Sequence, residues 1–68
     1  MHDITLIERK GNDLTLRVND RNGVTVLAEV TLFDDGNFNA RVGSHHVAEE
    51  VRNDINHFLA QKKVTYEG

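Results

Sequence analysis

The sequence predicts an α+β fold, in which a four-stranded antiparallel meander sheet carries one C-terminal helix packed on one face, in the order β-β-β-β-α. Three observations predict this fold. Apolar and polar residues alternate over the first two thirds of the chain, glycine turns recur about every 12 residues, and the last third has helical apolar spacing. With 68 residues, 38% of them hydrophobic, residues 1–68 are expected to form a single domain around one core.

The alternation assigns strands at about 3–9, 13–19, 24–33 and 37–43. Successive side chains of a strand point to opposite faces, so apolar residues at even positions share one face and the odd residues face away. The even apolar residues are Ile4, Leu6, Leu14, Leu16, Val18, Val24, Val26, Ala28, Val30, Leu32, Phe38, Ala40 and Val42. This even face is predicted to be the buried one.

The same alternation constrains the turns. Directly paired residues lie on the same face, so each loop must contain an odd number of residues. Three-residue loops are therefore expected at 21–23 and 34–36, each ending in a glycine with a left-handed backbone. By the same rule the first loop is 10–12, which places Asn12 in the left-handed position.

These loops fix the cross-strand neighbours. On the outer face, Glu29 is expected opposite Arg41, and Arg17 opposite Leu27. The small side chains of Ala28 and Ala40 indicate that another element crosses close above them. The predicted inner rows are Ile4–Val18–Val26, Leu6–Leu16–Ala28–Val42 and Leu14–Val30–Ala40.

The last third of the chain predicts the covering helix, at about 45–62, with Ser44 as its N-cap. Its tail, residues 64–66, alternates again, which fits a short fifth strand on this chain's edge or on a partner's. The apolar residues at helical spacing are Val47, Ala48, Val51, Ile55, Phe58 and Leu59.

No catalytic, cofactor or metal site is predicted, and the protein is expected not to be an enzyme. The chain has no cysteine, which removes disulfides, thiolate nucleophiles and thiolate metal ligands. His46 and His57 lie about 16 Å apart along the predicted helix, too far to share one ion. Ser44 next to two histidines is explained by helix capping rather than by nucleophilic catalysis.

The outer sheet face is the candidate interaction surface, because the helix covers only the other face. Arginine and aromatic residues are enriched at interaction hot spots, whereas an ordinary solvated face with scattered apolar residues is the alternative. The first strand also has an apolar edge at 4–7, which predicts pairing with the tail or with a second copy. A homodimer through this strand or through the outer face is therefore expected. The candidate partner-binding residues are Ile7, Arg17, Leu27, Phe33 and Arg41.

These features predict a small non-enzymatic protein-binding or regulatory module, a class common among small phage and prophage proteins, with an unknown protein partner. The alternative is sheet-mediated nucleic-acid binding through Arg9, Arg17 and Arg41, against which the net charge of −3 argues. The N-terminus has no basic, apolar leader and no apolar run reaches about 18 residues, so no membrane contact and a cytoplasmic location are expected.

Overall fold

A computed structural model describes residues 2–68 of the chain, and these form one antiparallel sheet and one helix. The sheet has the strand order β1-β2-β3-β4-β5, so each strand pairs with the next one along the chain. The predicted α+β meander with a C-terminal helix is confirmed, and a short strand is added before the helix. The elements are β1 (Asp3–Lys10), β2 (Asp13–Asn19), β3 (Thr25–Leu32), β4 (Phe38–Val42), β5 (His45–His46) and α1 (Glu49–Lys62).

The core lies between the sheet and α1, and the sheet contributes its even residues, as predicted. Two of the even apolar residues remain exposed: Leu6 on the outermost strand, at 38%, and Val24 in the β2–β3 loop, at 56%. Ile4, Val26 and Val42 pack against the core and are partly buried. The buried residues are Leu14, Leu16, Val18, Ala28, Val30, Leu32, Phe38, Ala40, Ile55 and Leu59.

The cross-strand register agrees with the even–odd rule in β2, β3 and β4. On the outer face Arg17 pairs with Leu27, and Glu29 pairs with Arg41. The β3–β4 pairing begins at Glu29, so the predicted neighbours Ala28 and Val42 lie one step beyond it. The confirmed inner pairs are Ile4–Val18, Val18–Val26, Leu6–Leu16, Leu16–Ala28, Leu14–Val30 and Val30–Ala40.

Both predicted three-residue glycine loops are confirmed. The backbone N–H of Asp20 donates to the carbonyl oxygen of Val24 at 2.9 Å, and Gly23 between them has φ 83°. The loop at 34–36 is closed in the same way, with Gly36 at φ 89°. A glycine in the left-handed region lets a type I turn rejoin the strand with its faces in register.

The first loop differs from the prediction. Lys10 pairs with Asp13, so the turn contains only two residues, Gly11 and Asn12, and Gly11 carries the positive φ of 58°. Glycine at the first central position is what a two-residue type II′ hairpin requires. The predicted three-residue loop at 10–12 with a left-handed Asn12 is therefore wrong.

A β-bulge in β1 compensates for this even-numbered loop. Leu6 pairs with Leu16, but Glu8 pairs with Thr15, so β1 advances two residues around Ile7 while β2 advances one. The extra residue reverses the faces of the residues that follow it. The even–odd rule therefore applies to β1 only as far as Leu6.

Because of the bulge, Arg9 lies on the helix side of the sheet and not on the predicted outer face. Arg9 pairs with the buried Leu14, and directly paired residues share a face. Its Nη2 donates to the carbonyl oxygen of Thr65 at 2.7 Å and lies 3.5 Å from the carboxylate of Glu67. Arg9 thus binds the C-terminal tail.

The tail is held by side chains and forms no strand. Asn12 donates from Nδ2 to the carbonyl oxygen of Glu67 at 2.9 Å and accepts from its backbone N–H at 2.7 Å. Residues 64–66, which the alternation left open as a fifth strand, have no strand pairing in this chain. Val64 packs against the core, so the tail closes over the β1–β2 hairpin end.

The helix ends where the sequence predicts but begins later. α1 starts at Glu49, and its N-cap is Ala48, which makes no side-chain capping bond. The predicted Ser44 N-cap is therefore wrong. The backbone N–H of Val47 donates instead to the carbonyl oxygen of Ala40 at 3.1 Å, which fixes the segment leading into α1 against β4.

The residues predicted as the first helical turn form a hairpin. Val42 pairs with His45 across a two-residue turn of Gly43 and Ser44, in which Gly43 has φ 62°. Both histidines of β5 are exposed. Ser44 therefore occupies a turn position at the sheet edge.

Arg52, to which the sequence pattern assigned no role, connects α1 to β4. Its Nη1 donates to the carbonyl oxygen of Phe38 at 2.8 Å, and its guanidinium carbon lies 4.1 Å from the centre of the Phe38 ring. A cation above an aromatic face is attracted by the ring quadrupole. This contact positions the helix across the core that supports the outer sheet face.

Candidate functional site

The outer sheet face is the surface of β1 to β4 that points away from α1. Its side chains are threonines, asparagines, charged residues and Leu27, as expected for a face that contacts solvent. Paired residues define four rows across the strands. These rows are Asp3–Asn19–Thr25, Thr5–Arg17–Leu27, Glu8–Thr15–Glu29–Arg41 and Lys10–Asp13–Thr31–Asn39.

The second and third rows bring three of the five candidate residues together. Leu27 is 57% exposed and lies directly opposite Arg17. Arg41 belongs to the next row, where it pairs with Glu29. Ile7 is 50% exposed but is the bulge residue of β1, and no strand pair assigns it to these rows. We call Arg17, Leu27 and Arg41 the Leu27 patch.

Phe33, the fifth candidate, does not belong to the Leu27 patch. It follows β3, six residues beyond Leu27, which corresponds to about 20 Å along an extended chain. There it lines a groove of about 180 Å³ together with Val64 and Tyr66, beside the end of α1. Leu27 and Phe33 both occupy odd positions, which predicts a shared face but does not indicate the distance between them.

The three arginines proposed for nucleic-acid binding are also divided. Arg17 and Arg41 lie on the outer face, whereas Arg9 is on the helix side and is bound to the tail. The signal that would have identified this division is the apolar Ile7 at an odd position, which breaks the alternation at the bulge. Sequence reasoning treated it as a surface residue.

A polar groove of about 350 Å³ adjoins the Leu27 patch on the outer face. Both acidic and basic side chains line it, so it offers hydrogen bonds and ion pairs of both signs. In the part of the chain that the structure describes, no three histidine or acidic residues are close enough together to hold a metal ion. The charged and hydroxyl residues that line it are Glu8, Lys10, Asp13, Thr15, Glu29, Thr31 and Arg41.

On the other side of the molecule, Asp54 of α1 binds the start of the chain. His2 Nδ1 lies 2.6 Å from Asp54 Oδ2, and the His2 backbone N–H donates to the same oxygen at 3.0 Å. The hydrogen bond from the His2 ring, and then the one from its backbone, lower the pKa of Asp54. The two residues are 52 positions apart, so no local pattern could predict this contact.

This contact predicts a pH dependence of stability. Since the folded chain favours ionised Asp54, its contribution is present above the unfolded pKa of about 3.9 and is lost as pH falls through the lower folded value. Asp54→Asn should therefore be less stable than the wild type at pH 6, and the difference should shrink below pH 4. Urea unfolding of both proteins from pH 7 to pH 2.5 measures this difference.

Asp35 provides an internal comparison for that titration. Hydrogen bonds from the backbone N–H and then the side-chain amide of Asn37 lower the pKa of Asp35, and both proteins retain them. The Asp35 contribution therefore cancels in the comparison. A difference between wild type and Asp54→Asn that stays constant down to pH 2.5 would contradict the role of the Asp54 carboxylate.

Comparison of the chain with protein-family models, with curated proteins and with solved structures finds no match. Within residues 2–68, the helix is too short and too polar to cross a bilayer. The function is therefore inferred from the chain's own surface.

Proposed function

We propose that this protein is a small, non-enzymatic protein-binding module of the cytoplasm whose binding surface is the outer sheet face, centred on the Leu27 patch. The observation that carries the proposal is Leu27 itself, which is 57% exposed on the face opposite the helix, with Arg17 directly beside it. Protein interfaces combine apolar area with arginine at their centres. The absence of cysteine is consistent with a reducing compartment.

The charges around Leu27 indicate the chemistry of the partner. Arg17 pairs with Thr5 and Leu27 across its row and has no ion-pair partner within residues 2–68. A free guanidinium next to an exposed leucine favours a partner segment that places a carboxylate beside an apolar side chain. Leu27 would then be buried at the centre, with Arg17 at its border.

The same geometry favours a protein over a nucleic acid. Arg9 binds the tail, which leaves two arginines, Arg17 and Arg41, on the outer face to contact phosphate. Binding to a polyanion depends on several phosphate contacts made together. The net charge of −3 opposes such binding further.

The test uses two substitutions matched in exposure. Leu27 and Val24 are 57% and 56% exposed, but Val24 lies in the β2–β3 loop. Tagged wild type, Leu27→Asp and Val24→Asp are cross-linked in host cells, and the captured proteins are compared. One partner should be captured equally by the wild type and by Val24→Asp, and at least tenfold less by Leu27→Asp.

Circular dichroism and the urea midpoint of each purified variant establish that the fold is retained. Equal capture of the partner by Leu27→Asp would refute the outer face as the binding surface. Loss of the captured material on nuclease treatment, together with a steep salt dependence, would support the nucleic-acid alternative instead.

A further inference from the structure

The β1 edge of the sheet is a second surface that the Leu27 patch does not explain. β1 is the outermost strand, and its side away from β2 pairs with no strand of the described chain. Leu6 and Ile7 on this strand are 38% and 50% exposed. A groove of about 430 Å³ runs between β1 and the end of α1, lined by Ile4, Thr5, Leu6, Phe58, Lys62 and Val64.

We propose that β1 pairs antiparallel with β1 of a second copy of this chain and joins the two sheets edge to edge. The sequence Asp3–Lys10 is complementary to itself in that orientation. When Asp3 lies opposite Lys10 of the other copy, the exposed Leu6 lies opposite Ile7 at the centre. An apolar centre with opposite charges at both ends stabilises cross-strand pairing.

The bulge makes this register consistent on both faces of the joined sheet. Asp3, Thr5, Glu8 and Lys10 pair with outer-face residues of β2, whereas Ile4 and Arg9 pair with buried residues. The register therefore joins outer to outer in Asp3–Lys10 and Thr5–Glu8, and inner to inner in Ile4–Arg9. In a strand without the bulge, the same register would pair each outer residue with an inner one.

The position of the bulge favours a second copy of this chain over an unrelated strand as the pairing partner of β1. A regular strand follows β1 past Ile7 only by leaving one residue of β1 without a partner, as β2 does. A second copy carries the same reversal at the same position, so all eight residues of β1 can pair. Edge strands that are apolar and uncovered associate readily, and here the bulge favours an identical strand, which pairs with all eight residues.

The charges of the two strand ends support the same occupant. Lys10 has a side chain that is 80% exposed, and among residues 2–68 its ammonium group forms an ion pair only with Glu8, at 3.7 Å. Asp3 is exposed and has no ion pair among the described residues. Antiparallel pairing brings these two groups together twice, once at each end of the interface.

The pairing also arranges the two outer faces side by side. A twofold axis perpendicular to the sheet leaves both helices on one side and both Leu27 patches on the other. The contact follows one strand edge and is below the standard size of about 800 Å² per partner, so the dimer should dissociate on dilution. It is independent of the proposed function, because Leu27 lies two strands away from β1.

Sedimentation equilibrium from 10 μM to 1 mM tests the association. The mass should rise from 7.7 kDa towards twice that value with increasing concentration. Asp3→Lys should shift the dissociation constant at least tenfold towards monomer, and adding Lys10→Asp in the same chain should restore it. Asp34→Lys, the same charge change in the β3–β4 loop, should leave it unchanged, as should Leu27→Asp.

Cross-linking tests the register without relying on charge reversal. The chain has no cysteine, so mixing a Thr5→Cys chain with a Glu8→Cys chain under oxidising conditions reports directly on the Thr5–Glu8 pair. The mixed disulfide should form faster than either homodisulfide. A monomer at 1 mM, or a dimer that is insensitive to Asp3→Lys and forms no mixed disulfide, would overturn the proposal.

Discussion

Replacing Ile55 with alanine should lower the free energy of unfolding by about 3–4 kcal/mol. Ile55 is fully buried in the middle of α1, where it packs against the even face of the sheet. Truncation removes contacts with a sheet that is held by its own hydrogen bonds and cannot collapse into the gap. Since a chain of 68 residues has roughly 3–10 kcal/mol of net stability, this change should leave a substantial unfolded fraction.

Urea unfolding followed by circular dichroism measures the loss. Val24→Ala serves as the control, because Val24 is 56% exposed in a loop and its truncation should change the free energy by less than about 0.5 kcal/mol. A loss below about 1 kcal/mol for Ile55→Ala would mean that α1 is not the element that closes the core.

Much of the fold follows from the alternation of apolar residues at even positions and polar residues at odd positions. From β2 to β4, the alternation and the two glycine loops determine the register. When neither strand has a bulge, a loop with an odd number of residues is required for apolar residues to pair with apolar residues. The structure contains the predicted pairs of this region, such as Leu14–Val30 and Val30–Ala40. The helix faces the sheet with the predicted spacing, and Ile55 and Leu59 are its buried residues.

A second arrangement of loop and strand, which the sequence analysis does not include, also keeps the apolar residues on one face. An even-numbered loop combined with a bulge also restores the faces, and β1 adopts it through Gly11 and the bulge at Ile7. A glycine at the first position of a two-residue turn and an apolar residue out of phase are the two local signs of this arrangement. The turn and the bulge together place Arg9 on the helix side of the sheet.

The start of the helix differs from the prediction for a similar reason. Periodicity placed Val47 on the helical stripe, but this residue packs on the core from the segment between β5 and α1. Ser44 is a good capping residue by type, yet the preceding Gly43 has a positive φ and forms a hairpin turn with it. A glycine followed by a serine therefore fits a hairpin turn as well as the start of a helix, and in this chain the two residues form the turn.

The candidate site was predictable where it depends on neighbouring residues and unpredictable where it depends on distant ones. Arg17 and Leu27 were placed together because the strand register determines their pairing. Phe33 was grouped with them by parity alone, which does not measure distance along a strand. The contact of Arg52 with Phe38 depends on how the finished helix lies on the sheet, and short-range patterns do not contain that information.

The burial of Ala40 in the core leads to the second large stability effect. Ala40→Leu should destabilise the protein by about 1–3 kcal/mol although it adds apolar area to the core. Ala40 is 2% exposed, and its carbonyl oxygen accepts a hydrogen bond from Val47 at 3.1 Å, so the chain entering α1 cannot move away to admit a larger side chain. Overpacking forces strained rotamers or a backbone shift, and both are unfavourable.

Asn39→Leu is the matched control, because Asn39 is the adjacent residue of β4 and points to the outer face. It introduces the same side chain one position away, where there is open space and where leucine is no worse a strand residue than asparagine. Its urea midpoint should equal or exceed that of the wild type. If both variants were equally stable, the small residues on β3 and β4 would not be required by the helix, and the core would be loosely packed at the point where α1 crosses the sheet.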